Sequence, residues 1–190
     1  MEQRNLIDFL SVIEKLKCNT RHSWTSSGRR ESVAEHSWRL AVTAMLVRDE
    51  FPYTNIDKTI KMCLIHDFGE AITGDIPSFE KTKSDEKKED EAVEQILSLL
   101  PNEYKSEFRT LFKEMTELSS PEAKLFKALD NMEAVLSHNE ADIKTWIPLE
   151  YKENLSYGSE NVAYSQYLSK LKDELNKDSI KKINQESSHD

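Results

Sequence analysis

Turn-forming residues are scarce in this chain: four glycines and five prolines serve 190 residues. Sandwiches, barrels and doubly wound sheets need many tight turns, and these two residue types supply the backbone geometry of most of them. A chain so poor in both is built from long helices joined by few connections. Domains commonly hold about 100–150 residues, so one domain is expected. Hydrophobic residues make up 37% and charged residues 32%, which leaves apolar mass for one core and argues against disorder throughout.

The hydrophobic spacing fills in that outline. Leu6, Phe9, Leu10, Ile13 and Leu16 recur at three- and four-residue steps, the mark of a first amphipathic helix. The polar stretch from Lys17 to Glu31 reads as a loop. Ser32-Val33-Ala34-Glu35 forms a capping box that opens a second helix to about Arg48. A third is expected over Ile56–Ile72, stopped by Gly74 with Pro77 beyond. Between residues 80 and 94, 11 of 15 residues are charged, which reads as a solvated loop and exposed helix start. A helix carrying Val93, Ile96, Leu97 and Leu100 runs to Pro101, and another amphipathic segment covers Glu103–Glu117. Ser120-Pro121-Glu122 starts a helix to about His138, and a last helix spans Asn161–Lys177. No internal repeat and no strand pattern stands out. The expected fold is all-α, a single-domain helical bundle over residues 1–177 with a polar C-terminal tail at 178–190.

Charge and composition narrow the function. With 26 Lys and Arg against 35 Asp and Glu, the formal charge is −9. Phosphate repulsion makes such a chain a poor non-specific binder of long nucleic acid. A small anionic substrate remains compatible where a metal ion or a local arginine supplies positive charge. The longest central uncharged stretch, Leu40–Val47, is far below the roughly 20 residues that span a bilayer. Charges interrupt Met1–Asn5 before any apolar run, so no secretory signal is expected and the cytoplasm is the expected compartment. Two cysteines, Cys18 and Cys63, make no disulfide framework and are expected to be reduced and buried.

Several polar residues intrude on these apolar faces. His36 shares the side of Val33, Leu40, Ala44 and Val47. Asp67 sits beside His66 within the stripe Ile56, Ile60, Cys63, Leu64 and Ala71. Asp130 lies on the face of Ala123, Phe126 and Ala134. On a helix His66 and Asp67 point about 100° apart and can converge on one ion. Glu70 follows on the same surface one turn later, and Asp75 lies just past Gly74, close enough to close the site. An unpaired buried carboxylate costs several kcal/mol, so each of these must be ion-paired or bound to a metal. A lone buried histidine is ordinarily a satisfied core residue and a lone buried aspartate ordinarily ion-paired. The residues by themselves leave an ion-paired core and a metal site as equal alternatives.

The order His36, His66-Asp67, Asp130 resembles the signature of the HD-domain metal-dependent phosphohydrolases. The strings Arg30-Glu31-Ser32-Val33-Ala34-Glu35-His36 and Gly74-Asp75-Ile76-Pro77 are similar to its 5'-deoxynucleotidase branch. The resemblance covers about Leu6 to Ile147. It implies that His36, His66, Asp67 and Asp130 ligate a catalytic divalent ion, with Mn²⁺, Co²⁺, Fe²⁺ and Zn²⁺ all compatible with two nitrogen and two oxygen donors. It implies that Glu70 assists the attacking water. In some relatives that carboxylate holds a second ion, for which Mg²⁺ is an option, together with Asp75 and the backbone of Ile76. Arg21 matches an arginine that contacts the substrate phosphate, and Arg21, His22 and Asp75 would line the substrate.

The implied activity is release of phosphate from nucleoside or deoxynucleoside 5'-monophosphates, within nucleotide metabolism. His22 stands where a bacterial relative has a tryptophan that crowds the sugar, so a sugar preference does not carry over. The alternatives are another HD chemistry, on cyclic or polyphosphorylated nucleotides, and a catalytically idle helical adaptor stabilised by its metal. His138, two turns past Asp130, is expected to cap its helix. The same resemblance implies a homodimer as one option, with Trp146, Ile147, Tyr164, Tyr167 and Leu168 as candidate apolar surface; packing of these residues within the monomer is the equal alternative.

Overall fold

A computed structural model describes residues 1–186, and helices dominate it. The helices are α1 (Gln3–Ile13), α2 (Val33–Leu46), α3 (Ile56–Ile65), α4 (Glu70–Thr73), α5 (Lys83–Leu97), α6 (Asn102–Glu117), α7 (Pro121–Glu140), α8 (Glu150–Ser156), α9 (Ser159–Val162) and α10 (Gln166–Glu186). The core lies where α2, α3 and α7 pack together. Val33, Leu40 and Ala44 of α2 meet Met62 and Cys63 of α3 and Ala123, Leu125 and Ala128 of α7, all fully buried. The starts of α2 and α7 have local causes. Ser32 Oγ accepts from the Glu35 amide while the Glu35 carboxylate accepts from the Ser32 amide, and Ser120 Oγ accepts from the Ala123 amide ahead of Pro121.

Several features differ from the sequence expectation. The 17–31 segment holds an antiparallel hairpin of β1 (Thr20–Trp24) and β2 (Arg30–Ser32). Its turn is closed by Gly28 at φ +83° and by the Thr25 amide donating to the Arg29 carbonyl. Arg21, His22 and Ser23 of β1 line a cavity. The third helix stops at Ile65 instead of Ile72. Backbone bonding there shifts from His66 N→Met62 O to Phe68 N→Ile65 O and Glu70 N→Asp67 O, a tighter winding that precedes α4. Leu64, placed in the buried stripe from the sequence, lies on the outer side of α3 and is exposed, the buried positions being Thr59, Met62, Cys63 and Ile65.

The charged 80–94 stretch is mostly helix: α5 begins at Lys83 with a Thr82–Asp85 capping box, and Ala92, Val93, Ile96 and Leu97 bury its inner side. At the other end, helix continues through residues 178–186, where a polar tail was expected. Ser179 is fully buried and donates to Asn139 Oδ1 at 2.7 Å, and Lys182 donates to the Ala141 carbonyl. Residues 187–190 of that expected tail, His189 among them, lie outside the described residues. Finally Cys18 is exposed, and only Cys63 is buried. Trp146 and Leu168, two of the residues assigned to a dimer face, are buried within the chain, whereas Tyr164 and Tyr167 are exposed.

Candidate metal centre

Three elements converge on one point. α2 brings His36, the tight turn after α3 brings His66 and Asp67, and α7 brings Asp130. The Nε2 atoms of His36 and His66 are 3.3 Å apart. Asp130 Oδ1 is 3.1 Å from His36 Nε2 and 3.7 Å from His66 Nε2, and Asp67 Oδ2 is 3.1 Å from His66 Nε2. The donor atoms of His36, His66 and Asp67 all lie within 4.8 Å of one another. Imidazole nitrogens and carboxylate oxygens gathered this closely form a donor set for a divalent ion. Gly69 makes the turn possible, since a Cβ there would stand 2.6 Å from Glu89 Cγ and 2.9 Å from its carbonyl oxygen.

Both imidazoles are held from behind. His36 Nδ1 donates to Glu133, and His66 Nδ1 donates to the Cys63 carbonyl at 2.9 Å. With the proton assigned to Nδ1, each Nε2 turns its lone pair to the centre. Glu133 is braced in turn by Arg39 Nε at 2.7 Å and Ser137 Oγ at 3.1 Å. Glu31, also buried, lies 3.8 Å from Arg39 and 4.0 Å from Arg21 Nε. None of Glu31, Arg39 or Glu133 was singled out from the sequence. Glu133 lies three residues after Asp130 on α7, which is the spacing that could have flagged it.

The electrostatics match a cation. Burial opposes a charge on His36, and so does Arg21, yet the hydrogen bonds to Asp130 and Glu133 outweigh both and lift it to about 9. Burial also opposes ionisation of Asp67, but His66, His36 and Arg21 hold it at about 2. Asp130 lies well below the carboxylate range because Lys127, 2.9 Å from its Oδ2, and the two histidines overcome burial. Glu70 goes the other way: burial, Asp67, Asp75 and Glu89 push it up to about 10. Asp75 is raised as well, by burial first. Such crowded carboxylates, with Glu70 Oε2 buried and unpartnered, are what a bound cation relieves.

These groups open into a cavity of about 900 Å³. It is lined by every residue expected at the site: Arg21, His22, His36, His66, Asp67, Glu70, Asp75, Ile76 and Asp130. Arg29 and Arg30 are elsewhere. Arg29 pairs with Glu35 at 2.9 Å, and Arg30 donates to the Arg21 carbonyl and lies over the Trp24 ring. His138 does not cap α7, which continues to Glu140; it faces the cavity, Nδ1 2.8 Å from Asn154 Oδ1. Its place two turns from Asp130 on one face explains why.

Comparison with known proteins places the chain in a family. The model of the HD domain family matches residues 13–172. The human protein named 5'-deoxynucleotidase HDDC2 is 38% identical over 141 residues, 72% of this chain and 68% of that protein. The 5'-deoxynucleotidase hdd1 of Schizosaccharomyces pombe is 32% identical over 139 residues, 69% of each. A crystal structure described as a predicted metal-dependent phosphohydrolase from Magnetospirillum magnetotacticum superposes with a TM-score of 0.81 at 27% identity, covering 94% of this chain and 93% of the other. The chain therefore belongs to the HD domain family.

Proposed function

We propose that the protein is a metal-dependent 5'-nucleotidase that releases phosphate from nucleoside 5'-monophosphates, deoxynucleotides among them. The observation that carries this reading is the convergence of His36, His66, Asp67 and Asp130 at the floor of a cavity that also presents Arg21 and Glu70. Relatives named 5'-deoxynucleotidase support it. Those four residues would hold the ion; when bound, it polarises a phosphoryl oxygen and acidifies a water.

The chain's own residues do the rest. Arg21, buried among Glu133, Asp67, Asp130 and Glu31, keeps its charge and offers guanidinium N–H groups to the phosphate. Glu70, beside Asp67 and Asp75, orients the water; a bound cation would offset the crowding that raises it, freeing the carboxylate to accept the water's proton. Asp75 closes the wall and with Glu70 and the Ile76 backbone would hold a second ion. An idle adaptor would need neither a buried arginine nor a second carboxylate facing the cavity.

Free Cys18 and Cys63, with no described helix long and apolar enough to cross a membrane, fit a reducing, cytoplasmic setting. The test is a panel of nucleoside 5'-mono-, di- and triphosphates and cyclic nucleotides with Mn²⁺ or Co²⁺. Preferential phosphate release from 5'-monophosphates supports the reading, and preference for cyclic or polyphosphorylated forms overturns it.

A further inference from the structure

Folded proteins rarely leave buried polar atoms without hydrogen bonds. Among the described residues, eight buried side-chain polar atoms lack a partner, and six of them belong to residues lining the 900 Å³ cavity. Arg21 Nε and Glu70 Oε2 are at the metal end. The other four are His22 Nε2, Asn131 Oδ1, Glu150 Oε1 and Asn154 Nδ2.

Three of these side chains share one design: one polar atom is anchored by the protein and the other is left over. Asn131 Nδ2 donates to Asn161 Oδ1 at 2.8 Å, leaving Oδ1. Gly158 backs this residue, and a Cβ there would stand 2.6 Å from Asn131 Cβ. Glu150 Oε2 accepts from the Ile147 amide at 2.8 Å, leaving Oε1. Oε1 lies 3.3 Å from His22 Nε2 and 3.4 Å from His138 Nε2, but neither contact is aligned as a hydrogen bond. Asn154 Oδ1 is 2.8 Å from His138 Nδ1, leaving Nδ2. Exposures of 4%, 4% and 3% for Asn131, Glu150 and Asn154 put all three beyond bulk water.

We propose that His22, Asn131, Glu150 and Asn154 form a second subsite, which takes the neutral hydrogen-bonding part of the substrate: a group with an O–H or N–H donor beside an acceptor. This rests on the reading that the metal end takes a nucleotide phosphate. The carboxylate and amide oxygens only accept and the Asn154 amide only donates, so the wall matches a sugar hydroxyl or the edge of a base. A phosphate, which offers only acceptors and negative charge, is turned away by Glu150 and directed to Arg21 and the metal ligands. Phe79, 45% exposed, packs edge-on to His22 with ring centroids 5.5 Å apart and gives the mouth a flat apolar face for a ring. The cavity thus sorts a nucleotide end to end.

The test compares wild type, Glu150→Gln and Asn154→Asp, each metal-loaded, on three phosphomonoesters. Both changes preserve size and the anchored atom while inverting the one left over. Deoxyadenosine 5'-monophosphate carries sugar and base, 2-deoxyribose 5-phosphate the sugar alone, and p-nitrophenyl phosphate neither. The expected result is a KM about tenfold or more higher for the nucleotide in both variants, with kinetics on p-nitrophenyl phosphate unchanged. A parallel rise for the sugar phosphate assigns the subsite to the sugar, and no rise assigns it to the base. An equal loss on all three esters, or no loss on any, overturns the proposal. Wild type that hydrolyses p-nitrophenyl phosphate but not the nucleotide would instead overturn the nucleotidase reading. Saturation-transfer NMR with deoxyadenosine and metal-free protein reads the subsite without catalysis: signal with wild type and its loss in Glu150→Gln are expected, and no signal with folded wild type contradicts the proposal.

Discussion

Glu133 faces His36 across the α2–α7 contact, accepting from its Nδ1 so that the opposite nitrogen is presented to Asp130 at 3.1 Å. A carboxylate in that place fixes the tautomer and raises the basicity of a ligating imidazole. Glu133→Gln is expected to weaken binding of Mn²⁺ or Co²⁺ by about 10- to 100-fold, read by competition with a chelating dye. Unchanged affinity would show that His36 needs no such support.

Proton release should accompany metal uptake. His36 is lifted to about 9 in the metal-free chain, so at neutral pH it carries a proton that a metal must displace. Below that value affinity should climb about tenfold per pH unit and level off above it, one proton being exchanged. Calorimetry in buffers of differing ionisation heat measures this directly. A pH-independent affinity between pH 6 and 8 would mean that His36 is already neutral.

Metal should also stabilise the fold. An ion at a hundred times its Kd adds about 2.7 kcal/mol, so thermal unfolding should shift upward with metal and fall back with a chelator. Asp67→Ala is expected to abolish both the shift and the bound metal; metal analysis showing full occupancy in that variant contradicts the ligand assignment.

The meeting of His36, Asp67 and Asp130 was legible in the sequence because they broke otherwise apolar faces, but the faces alone did not separate an ion-paired core from a metal site; the resemblance supplied that step. Arg21 was legible by resemblance alone: a lone arginine in a polar stretch has no periodic context, and a hairpin of five and three residues is too short to show alternation. The tight turn at His66–Asp67 was hidden because its sequence continues a helical stripe, and the Gly69–Glu89 contact that favours it is a tertiary one. Glu133 and Glu150 look like ordinary surface glutamates until α2 and β1 are packed beside them.

Catalysis and metal binding should separate. Glu70→Gln is expected to keep its metal and its fold while losing roughly 10²-fold in turnover, the scale of a positioned acid–base group. Arg21→Ala should raise KM and lower turnover on monophosphates, because nothing replaces its charge-assisted contact. Arg29→Ala and Arg30→Ala serve as comparison, since Arg29 is spent on Glu35 and Arg30 on the Arg21 carbonyl outside the cavity. Normal kinetics in Arg21→Ala with impaired kinetics in either of the others would reassign the phosphate contact.

The measurement that bears most directly on metal-centred hydrolysis is a titration of chelator-stripped protein with Mn²⁺, following bound metal and phosphate release from a deoxynucleoside 5'-monophosphate together. Activity should be absent before metal, rise in proportion to occupancy of the first site, and stay absent throughout in Asp130→Ala. Phosphate release by the stripped protein, or full activity in Asp130→Ala, would contradict a reaction centred on His36, His66, Asp67 and Asp130.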